Sequence, residues 1–254
     1  MQLFDAHLHI INKAFSIKAN AGFIPEAFTV EQYLHQMKGY DLTGGAIVSG
    51  SFQGFDQNYL IAALKLLGPT FVGVTQLPAS VSDEEILALN KVGVRALRFN
   101  LRRGGSATLS ELDRLAQRVY EVAGWHSELY VDSSELALQQ ALSQPLASIL
   151  VNLPAVSIDH LGLSKAGLPS LLKLVEQGVR VKATGFGRVN FDIPTALRNL
   201  HSANPSALMF GSDLPSTRAP RPFFHNDISL IIDCLGEEQA SAVLHANAAD
   251  FYHA

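Results

Sequence analysis

The chain has 254 residues, 48% of them hydrophobic and 17% charged, with a formal net charge of −4. That balance suits one compact domain with a sizeable core, and it gives no electrostatic reason to expect nucleic acid or an acidic membrane as partner. The lone cysteine, Cys234, excludes an internal disulfide, and no apolar run approaches the ~18 residues of a membrane-spanning helix.

Short apolar, β-branched runs alternate along the chain with segments of helical period. "LFDAHLH" (3–9) reads as the first strand, and strict alternation places Asp5, His7 and His9 on one face of it. The start is too polar for a signal peptide, so a cytoplasmic location is expected. "TVEQYLHQMKGY" is helical, with Gly39 as a stop. "GAIVSG" (45–50) is the second strand, with Ser49 and Ser51 at its end, and "NYLIAALKLLG" is the helix that follows. "FVGVTQL" (71–77) is the third strand. Ser82 then opens a helix whose first turn is acidic (Asp83, Glu84, Glu85) and which stops at Gly93.

"VRALRFN" (94–100) is the fourth strand and ends in Arg98 and Asn100. After the helix "TLSELDRLAQRVYEVAG" comes "SELYVD" (127–132), in which Glu128, Tyr130 and Asp132 point all inward or all outward, with nothing local to choose between the two. "VSIDHLG" (156–162) ends in Asp159 and His160. "LPSLLKLVEQG" is the next helix, stopped by Gly178. "VRVKATG" (179–185) carries Lys182, expected to line the barrel or join a salt bridge, and "LMFGSD" (208–213) ends in Ser212 and Asp213. Eight strands alternating with helices over ~250 residues predict an α/β fold, a (β/α)8 TIM barrel in one domain over residues 1–254. An open doubly wound sheet would want a glycine-rich phosphate turn after the first strand, where "HIINKAF" stands instead.

In such a barrel the active site lies at the C-terminal ends of the strands, which is where these polar residues gather. Each also has an ordinary reading. His160 alone suits a hydrogen-bonded core histidine, Asp213 a helix cap, and Arg98 and Arg188 surface ion pairs. Two imidazoles on one strand are harder to dismiss, because each buried ring needs a partner. His35, His201, His225, His245 and His253 lie in helix-like or loop stretches and receive no role.

Taken in order, "FDAHLHI", "RFN", "IDHLG" and "FGSDLP" resemble the amidohydrolase superfamily over almost the whole chain, and "GVRALRFNL" and "GWHSELYVD" point to the branch of pyrone dicarboxylate hydrolases and sugar lactonases. The resemblance implies that His7, His9 and His160 are catalytic imidazoles, and that Asp213 takes the proton of the attacking water. It also implies that Arg98, Tyr130 and Arg188 surround the substrate and its carboxylates. A further arginine is supplied by Arg103 or Arg102, with the spacing one residue out of step. The superfamily's metal sites usually add a lysine or glutamate on strand four and a histidine on strand five. Arg98 and the histidine-free end of "SELYVD" argue against a binuclear centre. No cofactor is required on this reading, and a single Zn²⁺ or Mn²⁺ on His7, His9 and Asp213 stays open.

The expected activity is opening of a small, carboxylate-bearing lactone by Asp213-activated water, with burial raising the Asp213 pKa and a histidine, protonated or neutral, polarising the carbonyl. The alternatives are a mononuclear-metal hydrolase or non-oxidative decarboxylase of the same superfamily, and a non-catalytic barrel that only binds. The partner is then a small anionic molecule, and homo-oligomerisation stays open. Arg218 and Arg221, after strand eight, contact either an anionic substrate or only the surface, and Phe223 and Phe224 form either a lid or an oligomer contact.

Overall fold

The computed structural model describes residues 1–139 and 144–253. Eight parallel strands pair in chain order: β1 (Gln2–Leu8), β2 (Asp41–Val48), β3 (Phe71–Thr75), β4 (Val94–Asn100), β5 (His126–Tyr130), β6 (Val156–Ile158), β7 (Arg180–Ala183) and β8 (Leu208–Phe210). Just past the named strands β8 meets β1 again. The Asp213 amide donates to the His7 carbonyl at 2.7 Å, and the His9 amide to the Leu214 carbonyl at 2.7 Å. The expected (β/α)8 barrel is the fold.

The helices are α1 (Val30–Gln36), α2 (Asn58–Leu67), α3 (Asp83–Lys91), α4 (Leu112–Ala123), α5 (Leu146–Leu150), α6 (Leu168–Glu176), α7 (Ile193–Ala203), α8 (His225–Leu235), α9 (Glu237–Ser241) and α10 (Asn247–His253). Their ends follow local chemistry. Ser82 and Glu85 bond reciprocally across the first turn of α3, and Gly124 closes α4 in the left-handed conformation. No helix among the described residues is long and apolar enough to cross a membrane.

Strands six and eight end earlier than their sequences suggest, at Ile158 and Phe210. The residues beyond leave extended geometry: His160, Leu161 and Asp213 have φ of 52°, 50° and 60°. Non-glycine residues rarely adopt such angles, and they persist where surrounding contacts over-determine them. Here they turn the polar side chains across the barrel mouth.

One expectation fails in β1. Three residue steps of β1, from Asp5 to Leu8, match two in β2, from Gly45 to Ile47, so the strand bulges at Ala6–His7. Phe4 and Ala6 join the apolar cluster inside the barrel. Asp5 turns the other way, where its carboxylate accepts hydrogen bonds from Tyr33 of α1 and from the Ser212 amide and hydroxyl. His7 and His9 remain inward, but Asp5 does not share their face. It is a staple between β1, α1 and the end of β8.

The barrel interior is filled in two layers. The N-terminal layer is apolar: Phe4, Ala6, Ala46, Val48, Val72, Val74, Ala96 and Met209, plugged from outside by Ala248 and Tyr252 of α10. Above it, on β1, β4, β5 and β7 and just past the ends of β6 and β8, stand the ionisable residues His7, Arg98, Glu128, Lys182, Asp159 and Asp213. A glycine is required where this seam closes. A Cβ on Gly211 would lie 2.7 Å from the His7 Cβ and 2.8 Å from its backbone nitrogen. Gly211→Ala is therefore expected to destabilise the fold by about 1–3 kcal/mol through overpacking, read as a lower Tm in thermal unfolding. An unchanged Tm would contradict this account of the seam.

Candidate active site

The polar layer is a set of ion pairs between strands. Asp159, at the end of β6, accepts two hydrogen bonds from Arg98 of β4, from Nε at 3.2 Å and Nη2 at 2.8 Å. The third arm of Arg98 donates to the Ser49 carbonyl at 2.8 Å. Lys182 of β7 bonds Glu128 of β5, and Glu128 also faces His126 and takes the hydroxyl of Tyr252. Asp213 accepts from Arg188 Nε at 2.7 Å, while Arg188 Nη2 donates to the Thr217 carbonyl. Three cations (Arg98, Lys182, Arg188) thus meet three carboxylates (Glu128, Asp159, Asp213) in the interior. Buried charge is tolerable only when paired in this way, since an isolated ion would cost several kcal/mol.

The imidazoles stand among these pairs. His7 is fully buried, with Nδ1 3.4 Å from Lys182 Nζ and 3.3 Å from Asp159 Oδ1, and Nε2 4.0 Å from Asp213 Oδ1. His9 directs Nδ1 at the Val48 carbonyl at 2.7 Å, which makes Nδ1 the protonated nitrogen. Its Nε2 then faces Asp213 Oδ1 at 3.7 Å. His160 meets His7 at a tilt, with ring centroids 4.8 Å apart, and Tyr130 edge-on at 5.0 Å. Gly185 permits this, because a Cβ there would meet His160 Nδ1 at 2.5 Å.

Protonation states follow from burial and neighbours. Burial pushes His7 down to about 4, only partly offset by Asp159, and holds His160 well below the usual histidine range. Both rings are neutral near pH 7, so neither His7 nor His160 is the protonated donor considered from sequence. The expected raised pKa of Asp213 is also overturned. Burial does push it up, but Arg188, His160, His9 and His7 together outweigh burial and hold the carboxyl well below the usual range. Asp213 is ionised and a weak base while Arg188 is bound to it. It is no helix cap either, since α8 begins twelve residues later at His225.

A small cavity of about 40 Å³ opens over this layer, lined by His9, Arg98, Tyr130, His160, Arg188 and Arg218 among others. Arg103 lines it too and continues into an adjoining outer cleft with Arg102, Asp132 and Arg218. The expected site residues therefore share one mouth, with His7 and Asp213 sealed just behind it. Their engagement differs. Arg98 is occupied by Asp159 and stacks over Tyr130 at 5.3 Å, whereas no hydrogen-bond acceptor or carboxylate among the described residues holds the exposed guanidinium of Arg103.

Arg218 donates to Asn20 and lies 4.2 Å above the Phe23 ring, and Asn20 in turn donates to the Arg103 carbonyl at 3.0 Å. Arg221 instead forks onto Asp227 at the start of α8, away from this cavity. Phe223 packs on Phe210 and Tyr40, and Phe224 is exposed.

Sequence reasoning left Glu128 and Asp159 without assigned roles, and it expected Lys182 to line the barrel or join a salt bridge, which it does with Glu128. The available signal was charge at or near strand ends that the barrel turns inward, which calls for mutual pairing. Their strand partners depend on register and could not be read locally.

Ligand types for a divalent ion are present. Single donor atoms of His7, His160 and Asp213 lie within 4.8 Å of one another, a grouping that exchanges His160 for the expected His9, and a second grouping joins His7, Glu128 and Asp159.

An amidohydrolase family model matches residues 4–254. The chain belongs to the amidohydrolase family. It is 26% identical over 163 residues to the 2-pyrone-4,6-dicarboxylate hydrolase of Comamonas testosteroni, a match covering 62% of this chain and 51% of that protein. The chain thus matches about half the length of that relative. A structure of a probable 2-pyrone-4,6-dicarboxylic acid hydrolase from Acinetobacter baumannii, with citric acid bound, superposes with a TM-score of 0.81 at 20% identity over 100% of both chains. A dihydroxybenzoic acid decarboxylase from Polaromonas, with bound manganese and an inhibitor, gives a TM-score of 0.68 at 12% identity over 99% and 97% of the chains. At those identities the two structures speak for the fold.

The buried histidines make stability depend on pH. Below about pH 6.5 the unfolded chain protonates them, whereas folded His7 stays neutral to about 4 and His126 and His160 are likewise held down by burial. Protons then favour unfolding. Asp5, raised to about 6 by burial, acts in the opposite sense between its ordinary 3.8 and that value, as one group against three. The Tm is therefore expected to be level above pH 7 and to fall as pH drops from 6.5 toward 4.5, followed by circular dichroism. A rise over that interval would show that these rings are not buried neutral.

Proposed function

We propose that the chain hydrolyses a small planar lactone carrying carboxylates, of the pyrone dicarboxylate kind. The observation that carries this reading is the set of cations at the mouth. Arg103 and Arg218 crowd each other there, no carboxylate among the described residues forms an ion pair with either, and Arg188 covers Asp213. Guanidinium forks suit carboxylates, and a dianion suits this site better than a neutral sugar lactone does. The citric acid held by the Acinetobacter relative is an anion of the same type.

The chemistry follows from the residues present. A water donating its protons to Asp213 Oδ1 and His9 Nε2 would present its lone pair to the lactone carbonyl. Asp213 takes one proton as the new C–O bond forms, the ring C–O bond breaks, and the proton passes to the leaving enolate. His7 and His160 border the position of the carbonyl oxygen and donate hydrogen bonds as it gains charge. Asp213 must become a better base for this. A substrate carboxylate that draws Arg188 away from Asp213 removes the largest influence lowering its pKa, so binding itself activates the base. An enolate leaving group reduces the need for Lewis-acid help.

A second reading has one specific observation behind it, the grouping of His7, His160 and Asp213. These residues would hold a divalent ion, which when bound would polarise the carbonyl and acidify water. It predicts stoichiometric metal in the purified protein and loss of turnover with chelators.

Turnover of 2-pyrone-4,6-dicarboxylate and of aldonolactones separates these readings from a barrel that only binds. Asp213→Asn is expected to lower kcat by at least ~10³, as loss of a base and of its charge together, and a variant with near-wild-type rate would refute the assignment. Arg103→Met is expected to raise KM for the dicarboxylate by about 10-fold or more, the worth of a hydrogen bond to a charged group, with kcat within about threefold. An unchanged KM would remove Arg103 from the binding site.

A further inference from the structure

Lys182 is fully buried, 0% exposed, and carbonyl chemistry at the mouth does not reach it. Its ammonium group bonds Glu128 and lies 3.4 Å from His7 Nδ1 in hydrogen-bonding geometry. An ammonium only donates, so the ring nitrogen facing it must be the one without a proton. Asp159 Oδ1 competes for the same nitrogen at 3.3 Å, but only as an ionic neighbour. The contact falls outside hydrogen-bonding geometry, and the same oxygen also lies 3.7 Å from Lys182 Nζ. The two neighbours demand opposite tautomers of His7. With Nδ1 accepting from Lys182, the proton sits on Nε2 and points toward Asp213 and the reacting carbonyl. With Nδ1 donating to Asp159, Nε2 offers a lone pair, the form in which histidines bind metal with a carboxylate behind them.

We propose that Lys182 is a positioning residue that fixes His7 as the Nε2–H tautomer and so commits the site to hydrogen-bond polarisation of the carbonyl rather than to metal ligation. It acts from the side of the ring away from substrate. Tyr252 of α10 donates to Glu128, which holds Lys182, so the helix that plugs the barrel floor takes part in setting the proton at its mouth. The proposal rests on the reading of His7 as a carbonyl-polarising group, yet the tautomer can be measured without turnover.

The test is ¹⁵N NMR of the imidazole nitrogens in the full-length protein at pH 7.5, with His7 assigned by comparison with His7→Gln. In the wild type, His7 Nδ1 is expected to resonate as an unprotonated ring nitrogen and Nε2 as a protonated one. The reverse pattern overturns the proposal, and this arm needs no Lys182 variant to fold. In Lys182→Met, Asp159 becomes the sole partner of Nδ1, and the pattern is expected to invert. With that inversion, kcat should fall by about 100-fold, the loss of one oxyanion donor, KM should stay within about threefold, and affinity for Zn²⁺ by calorimetry should rise at least 10-fold. Retention of the Nε2–H pattern in the variant, or unchanged zinc affinity with an inverted ring, overturns the role given to Lys182. If the wild type shows the expected tautomer yet opens no lactone, the tautomer assignment stands and the proposed reaction falls.

Discussion

The ion pair between Arg188 and Asp213 is the contact on which the mouth of this barrel depends. Its 2.7 Å hydrogen bond ties the loop after β7 to the loop after β8, and the second arm of Arg188 extends the tie to the Thr217 carbonyl. Asp213 in turn closes the barrel through its amide, which donates to His7. The carboxylate is consequently held in a left-handed backbone conformation, ionised, and directed at His9 and His7. A group in that state stabilises positive charge well and accepts protons poorly. For it to work as a base, its arginine has to be shared with something that arrives.

Beneath that pair the interior solves a separate problem. Six ionisable side chains with little or no exposure would be ruinous singly, but they meet as three cations and three carboxylates. Such pairs add little net stability over apolar packing, and removing one member is costly. Their value lies in definition. Arg98 is locked by Asp159 and Ser49, so it shapes the cavity wall and packs against Tyr130, while no acceptor among the described residues holds the guanidinium of Arg103. Burial keeps His7 and His160 neutral against the pull of the neighbouring carboxylates, which makes each ring's tautomer, rather than its charge, the property that matters.

Much of this was legible in the chain. The alternation of strands and helices, the glycine stops and the acidic helix start at Ser82 each rest on local rules, and the barrel follows from their count. His7, His9, His160 and Asp213 stood out because strand ends converge in this architecture. The remainder depended on distant contacts. The bulge that turns Asp5 toward Tyr33 breaks the period-2 rule and arises from pairing with β2, 39 residues or more away in sequence. The low pKa of Asp213 comes from Arg188, whose approach is set by two loops. Whether Arg218 or Arg221 faced the site turned on Asp227, which captures Arg221, and on Asn20 and Phe23, which hold Arg218 at the mouth.

The central claim is that an incoming carboxylate takes Arg188 from Asp213 and thereby makes a base of it. Its most direct test is a ¹³C NMR titration of the Asp213 carboxyl, free and with isophthalate, an unreactive planar dicarboxylate, bound at saturation. The account predicts that the free enzyme shows a carboxyl ionised across the whole accessible range, and that isophthalate moves its titration upward by at least about one pH unit, the ion pair being exchanged for the ligand. A carboxyl whose titration is the same with and without ligand would contradict it.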